Sequence, residues 1–191
     1  MSKILILVEA NSDGSLRKAT LNALTAGQQL AAKTGGEVHA VVLAKDASAL
    51  AAAVKEYGVK VVHAGSGAHL EHALAENFAP AIAELATSIG AEYVGAASTA
   101  IGRDVLPRVA ARLKAAMAAD IMSVEAAGSF TRPMWAGSVI ATVTLSSAIK
   151  CFTVRTTEFA LAEKSGAGEV KAFSPAAPAK SLTKFINFKE V

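Results

Sequence analysis

The 191-residue chain has a single cysteine, Cys151, so an internal disulfide is excluded and a reducing compartment fits. Within a strand-like run, Cys151 reads as a small core residue rather than a nucleophile. No apolar run approaches the roughly 18 residues of a membrane span, so direct membrane insertion is not expected. The opening residues, MSKILILVEA, enter a strand pattern almost at once and leave no signal or transit peptide. A bacterial-type cytoplasm is therefore the expected location. The net charge of +3 is too weak to argue for nucleic acid. Charged residues make up 18% against 52% hydrophobic, which excludes wholesale disorder and allows a sizeable core at this length. Neither G-x-G-x-x-G nor G-x-x-x-x-G-K-[ST] occurs, and no serine stands in G-x-S-x-G.

What the chain does have is Tyr93–Leu113, YVGAASTAIGRDVLPRVAARL. Tyr93 to Ala97 is a short apolar run, broken by Ser98, Thr99 and the Gly102-Arg103-Asp104 triplet. Leu106, Val109, Ala110 and Leu113 then follow the i, i+3, i+4, i+7 spacing of one helix face. Asp104 is placed to cap that helix, and Pro107 falls in its first turn, where no intrahelical donor is lost. The stretch predicts a buried strand, a structural turn at Gly102 and a helix start. A strand end beside a helix N-terminus is where α/β sheets hold anions. With one glycine and no phosphate motif, the turn reads as structural rather than as a working nucleotide loop.

The same alternation precedes it. Lys3–Ala10 predicts a doubly buried strand, and Asn11–Ser15 a turn at its carboxyl end. A helix is expected from about Leu16 to Thr34, stopped by Gly35 and Gly36. Glu37–Ala44, a short helix over Ser48–Tyr57 capped at Ser48, Lys60–Ala64 and a helix within Leu70–Ile89 complete the series. Four strand–helix units with short links predict a parallel, helix-covered sheet. After Ala119 the period changes. Asp120–Ala126, Phe130–Trp135, Val139–Leu145 and Lys150–Arg155 read as strands joined by hairpins, hence antiparallel, with Pro133 at an edge or bulge. From about Ala160 the composition turns to Lys, Ser, Ala, Gly and Pro without a core-forming period. The expected organisation is a scaffold over residues 1–159 followed by a linker or arm over 160–191.

No convincing catalytic set emerges, so an enzyme is not expected. His69 and His72, at i, i+3, offer two ligands on one face but lack further donors, so they read as solvated. His39 and His63 lie in strands and read as packed there. Arg103 marks the central turn, Arg132 a hairpin strand and Arg155 the end of the last strand, while Arg108 and Arg112 lie off the apolar stripe. Arg132 and Trp135 on one run, with Arg155 and Tyr93, suggest a contact surface, since Trp and Arg are enriched at interfaces. A tryptophan packed beneath the hairpin fits the same residues, and both readings stay open.

Several separate stretches resemble one family. They are KILILVEA, GAASTAIGRDVLPRVAARL, ADIMSV, FTRPMWAGSVIATV and CFTVRTTEF, in order from Lys3 to about Phe159. Together they resemble the amino-terminal domain of the electron transfer flavoprotein alpha subunit, with Ser138 where that family commonly has asparagine. The resemblance implies a Rossmann-like α/β scaffold of adenine-nucleotide-binding type, with an antiparallel hairpin extension and a carboxyl-terminal tail. It implies a beta subunit as partner, and electron flow from acyl-CoA and other dehydrogenases to a membrane quinone oxidoreductase. It also implies FAD in the complete protein, held by a second domain whose S-G-G-R-G-type motifs do not occur here. No cofactor is then expected on this chain alone. The alternative is a stand-alone nucleotide-binding or nucleotide-hydrolysing α/β domain using the Gly102–Asp104 turn and the crevice near Asn11–Ser15.

Overall fold

The computed structural model describes residues 1–180 and 182–187. β1 (Lys3–Leu7), β2 (Glu37–Ala44), β3 (Val61–Ser66) and β4 (Tyr93–Ala97) alternate with α1 (Lys18–Thr34), α2 (Ser48–Val54), α3 (Ala75–Ile89) and α4 (Ala100–Leu113). The four strands are parallel, as near-continuous apolar runs covered on both faces require. Their side chains alternate between two cores. Ile4, Ile6 and Val8 meet α1 and α2, whereas Leu5 and Leu7 meet α3 and α4. α1 ends where Gly35 turns left-handed at φ 63° and its N–H closes onto the Ala31 carbonyl. At α2 the N-cap is Ala47, without a side-chain capping bond, and the expected cap Ser48 is the first helical residue, tied back to Asp46. Asp46 Oδ1 accepts from the Ser48 N–H at 2.9 Å and from the Ser48 hydroxyl at 2.6 Å.

α4 begins earlier than its apolar stripe predicts. Thr99, not Asp104, is the cap, and its Oγ1 accepts from the Gly102 N–H at 3.1 Å. Gly102 is thus the third helical residue rather than a turn. Asp104 is the fifth, exposed and paired with Arg108 one turn on. Pro107 lies inside the helix, not in its first turn, and on its exposed side. The reason is local. A threonine directly after the strand is a sufficient cap, so the helix starts before the apolar spacing becomes visible.

β5 (Ala116–Ile121) follows α4. β6 (Ser123–Ala126), β7 (Ser129–Met134) and β8 (Val139–Thr144) form the expected antiparallel hairpins, in the order β6-β7-β8. β9 (Lys150–Val154) departs from expectation. It lies between β4 and β5, parallel to both, so the Lys150–Arg155 run belongs to the large sheet rather than to a hairpin. Four of its five residues are buried, a pattern that suits a strand covered on both faces. The parallel core is therefore not complete at Ala116. β10 (Glu169–Phe173), within the stretch expected as an arm, pairs parallel with β3 at the opposite edge. The large sheet reads β10-β3-β2-β1-β4-β9-β5. Residues 181 and 188–191 of that expected arm lie outside the described residues.

The small sheet shares the main core. Phe130 is fully buried and stacks on Phe152 of β9 with ring centroids 5.6 Å apart. Burying a phenylalanine of this kind contributes about 2–3 kcal/mol. Within β5, Asp120 takes a left-handed conformation, φ 59°, at a shift in the β5–β9 register. Aspartate tolerates that conformation better than most residues, and Ile121 resumes the pairing with Val154 beyond the irregularity.

Candidate functional site

The large sheet reverses its order at β1 and β4. The chain runs outward from β1 through β2 to β3, then returns to set β4 on the other side of β1. The crevice at the carboxyl ends of two such strands is where open α/β sheets take ligands. Glu9, just beyond β1 and only 3% exposed, fills it. Both of its carboxylate oxygens lie 2.8 Å from Thr99 Oγ1, which caps α4. Arg17 Nη1, from the residue before α1, donates to Glu9 Oε2 at 3.1 Å. The Glu9 backbone is pinned as well. Its N–H donates to Thr20 Oγ1 at 2.9 Å, and its carbonyl accepts from the Arg17 N–H at 3.0 Å. One carboxylate therefore sits between the starts of two helices, whose dipoles favour negative charge. Burial nevertheless raises its pKa above the usual value of 4.5, against the opposing pull of Thr99 and Arg17.

A second polar cluster joins the ends of β4, β9 and β5. Arg155 donates to Asp120 Oδ2 from Nε at 3.0 Å and from Nη2 at 2.6 Å. Arg103 Nη2 lies 3.9 Å from Asp120 Oδ1, and its Nε donates to Ser98 Oγ at 3.0 Å. Burial opposes the Asp120 charge, but hydrogen bonds from Arg155 and Ser98, and the charges of Arg155 and Arg103, outweigh it. The Asp120 carboxyl is held below its usual range.

These positions place the sequence candidates. Arg155 is engaged with Asp120 within the chain. Arg132 is half-buried on β7, and its buried Nε has no hydrogen-bond partner among the described residues. Trp135 does not pack beneath the hairpin. It stands 80% exposed at the β7–β8 turn, whereas Tyr93 is buried and belongs to the core. Gly102, Asp104 and Pro107 all lie in α4, and only Gly102 touches the crevice wall, through its bond to Thr99.

The histidines build no metal centre. Among the described residues no group of three or more His, Cys, Asp or Glu is arranged to hold an ion. His72 stacks on Phe185 with centroids 3.7 Å apart. His39 Nδ1 lies 2.9 Å from His63 Nε2, and His39 Nε2 lies 3.0 Å from Glu37 Oε1. Burial, then the neighbouring His39, pushes the His63 pKa down to about 4. Cys151 is fully buried, and that burial pushes its thiol up to about 12, which disfavours the thiolate. Among the described residues no helix is long and apolar enough to cross a membrane.

Sequence reasoning missed Glu9, Thr99 and Asp120. A carboxylate directly after a buried strand, and a threonine directly before a helix, were the available signals. Their meeting across 90 positions of chain was not one of them.

The family description "Electron transfer flavoprotein domain" matches residues 4–178. The electron transfer flavoprotein subunit alpha of Pseudomonas aeruginosa is 40% identical over 181 residues, covering 93% of this chain and 56% of that protein. A probable mitochondrial electron transfer flavoprotein subunit alpha from Caenorhabditis elegans is 36% identical over 183 residues, 95% of this chain and 54% of its own length. The corresponding probable subunit of Cryptococcus neoformans var. grubii is 33% identical over 165 residues, covering 83% and 46%. The chain spans about half the length of these relatives.

Proposed function

The chain belongs to the electron transfer flavoprotein domain family, and on that premise we propose that it is the amino-terminal scaffold of an alpha subunit within an electron carrier. The complete protein carries electrons from acyl-CoA and other dehydrogenases to a membrane quinone oxidoreductase. Its FAD is bound by a further domain, and this chain catalyses no step itself. Its task is to hold the beta subunit and to position the flavin domain.

The apolar tip of the β7–β8 hairpin carries the docking role. Met134 is 38% exposed, Trp135 80%, Val139 42% and Ile140 56%. Met134 pairs with Val139 and Pro133 with Ile140, and successive pairs point to opposite faces, so both faces of the hairpin tip carry exposed apolar side chains. Clustered exposed apolar side chains of this kind mark interaction sites, and Trp and Met are enriched where partners meet. The other reading, a stand-alone nucleotide-binding or nucleotide-hydrolysing domain, needs a crevice open to phosphate, and Glu9 lies in that crevice against Thr99.

Calorimetric titration with purified beta subunit tests the docking role. Trp135→Ala is expected to weaken binding about 30-fold, the equivalent of about 2 kcal/mol for an interface anchor, with an unchanged circular dichroism spectrum. Equal affinity for the variant would remove the hairpin from the interface. Purification with excess FAD is expected to leave no flavin absorbance on this chain. A stoichiometric band would place the cofactor site here instead.

A further inference from the structure

The crevice between β1 and β4 is built for an anion, and one from the chain itself is already there. The donors on Glu9 are those that recognise an oxyanion. They are a hydroxyl and a guanidinium, and the starts of helices of 17 and 14 residues lie on either side. Thr99 is pre-aimed. Its Oγ1 accepts the Gly102 N–H, which leaves its single proton to point at the Glu9 carboxylate. The carboxylate is only 3% exposed, and the bonds from Thr99 and Arg17 compensate its burial. The crevice also lies at the point where the strand order reverses, the usual ligand position of such sheets.

We propose that Glu9 is an internal plug: its carboxylate occupies the place where this crevice would hold a phosphate group, and the domain keeps a latent phosphate site beneath it. An incoming phosphate meets a like charge, and both side-chain donors are already engaged. Removing the carboxylate frees Thr99 Oγ1 and Arg17 together and leaves a hole of matching charge.

The test uses inorganic phosphate as the probe, with sodium chloride at matched ionic strength as the control. Thermal unfolding of the wild-type chain is expected to show no saturable dependence on phosphate. Glu9→Ser is expected to gain a saturable rise in Tm, with an apparent affinity at least tenfold tighter than that of the wild type. Adding Arg17→Gln to Glu9→Ser is expected to abolish the response. A folded Glu9→Ser without a saturable response overturns the proposal. So does a wild-type response of equal strength, or one that survives the loss of Arg17. Should Glu9→Ser not fold, recovery of its circular dichroism spectrum in phosphate but not in chloride supports the plug. Absence of that rescue in both Glu9→Ser and Glu9→Ala makes the carboxylate part of the fold and overturns it.

Discussion

A β-carbon on Gly102 would fall inside the van der Waals shell of the Ala97 carbonyl oxygen. The first turn of α4 folds back directly against the end of β4, and only a glycine leaves room for that backbone. The demand is one of space. Gly102→Ala is therefore expected to lower stability by about 1–3 kcal/mol, and Gly102→Arg by more. Urea midpoints of the two variants measure this, and a wild-type midpoint for Gly102→Ala would show that the helix can retreat at no cost.

Ionised Glu9 works against stability. Its folded pKa lies above 4.5, so as pH rises past that value the unfolded chain gives up its proton first. The contribution present at low pH is lost as pH climbs through the folded value. Glu9→Gln keeps an acceptor for Thr99 and removes the charge. At pH 7 it is expected to be at least as stable as the wild type, with the advantage vanishing near pH 4. Chemical unfolding across that range reads the difference, and a less stable glutamine variant at pH 7 would contradict it.

His63 has the opposite sign. Its pKa falls from 6.5 unfolded to about 4 folded, so between those values the unfolded state binds the extra proton. Stability is full above pH 6.5 and declines as pH drops toward 4. His63→Gln is expected to flatten that limb. A wild-type slope retained in the variant would assign the acid sensitivity to other groups.

Removing residues 167–191 would uncover the edge of β3 from Val61 to Gly65, which β10 now covers. An open edge of this kind invites pairing between copies. The truncated chain is expected to unfold at a lower temperature and to self-associate in sedimentation, whereas ending the chain after Phe173 is expected to change both much less. Equal behaviour of the two truncations would mean that β10 adds nothing to the sheet.

The first four strand–helix units were legible in the sequence because their signals are local. KILIL, EVHAVVLA and YVGAA are short runs between turn residues, and Gly35 and Gly90 stop helices where a left-handed residue is needed. The antiparallel pairing of β6, β7 and β8 followed from equally short links. The boundary of α4 was misplaced because two capping residues, Thr99 and Asp104, stand five positions apart, and only the backbone decides which one the first turn uses.

The sequence by itself determined the fold class and the burial of Cys151, since both rest on residue types and spacings along the chain, and it pointed to the family through the resemblance of its motifs. Tertiary structure alone decided that β9 enters between β4 and β5, because its hydrogen-bond partners come from segments tens of residues away. It alone exposed Trp135, a residue whose apolar body and polar edge suit a core or a surface equally well. And it alone joined Glu9 to Thr99 and Arg17, because the crevice exists only once the β1 and β4 ends stand side by side.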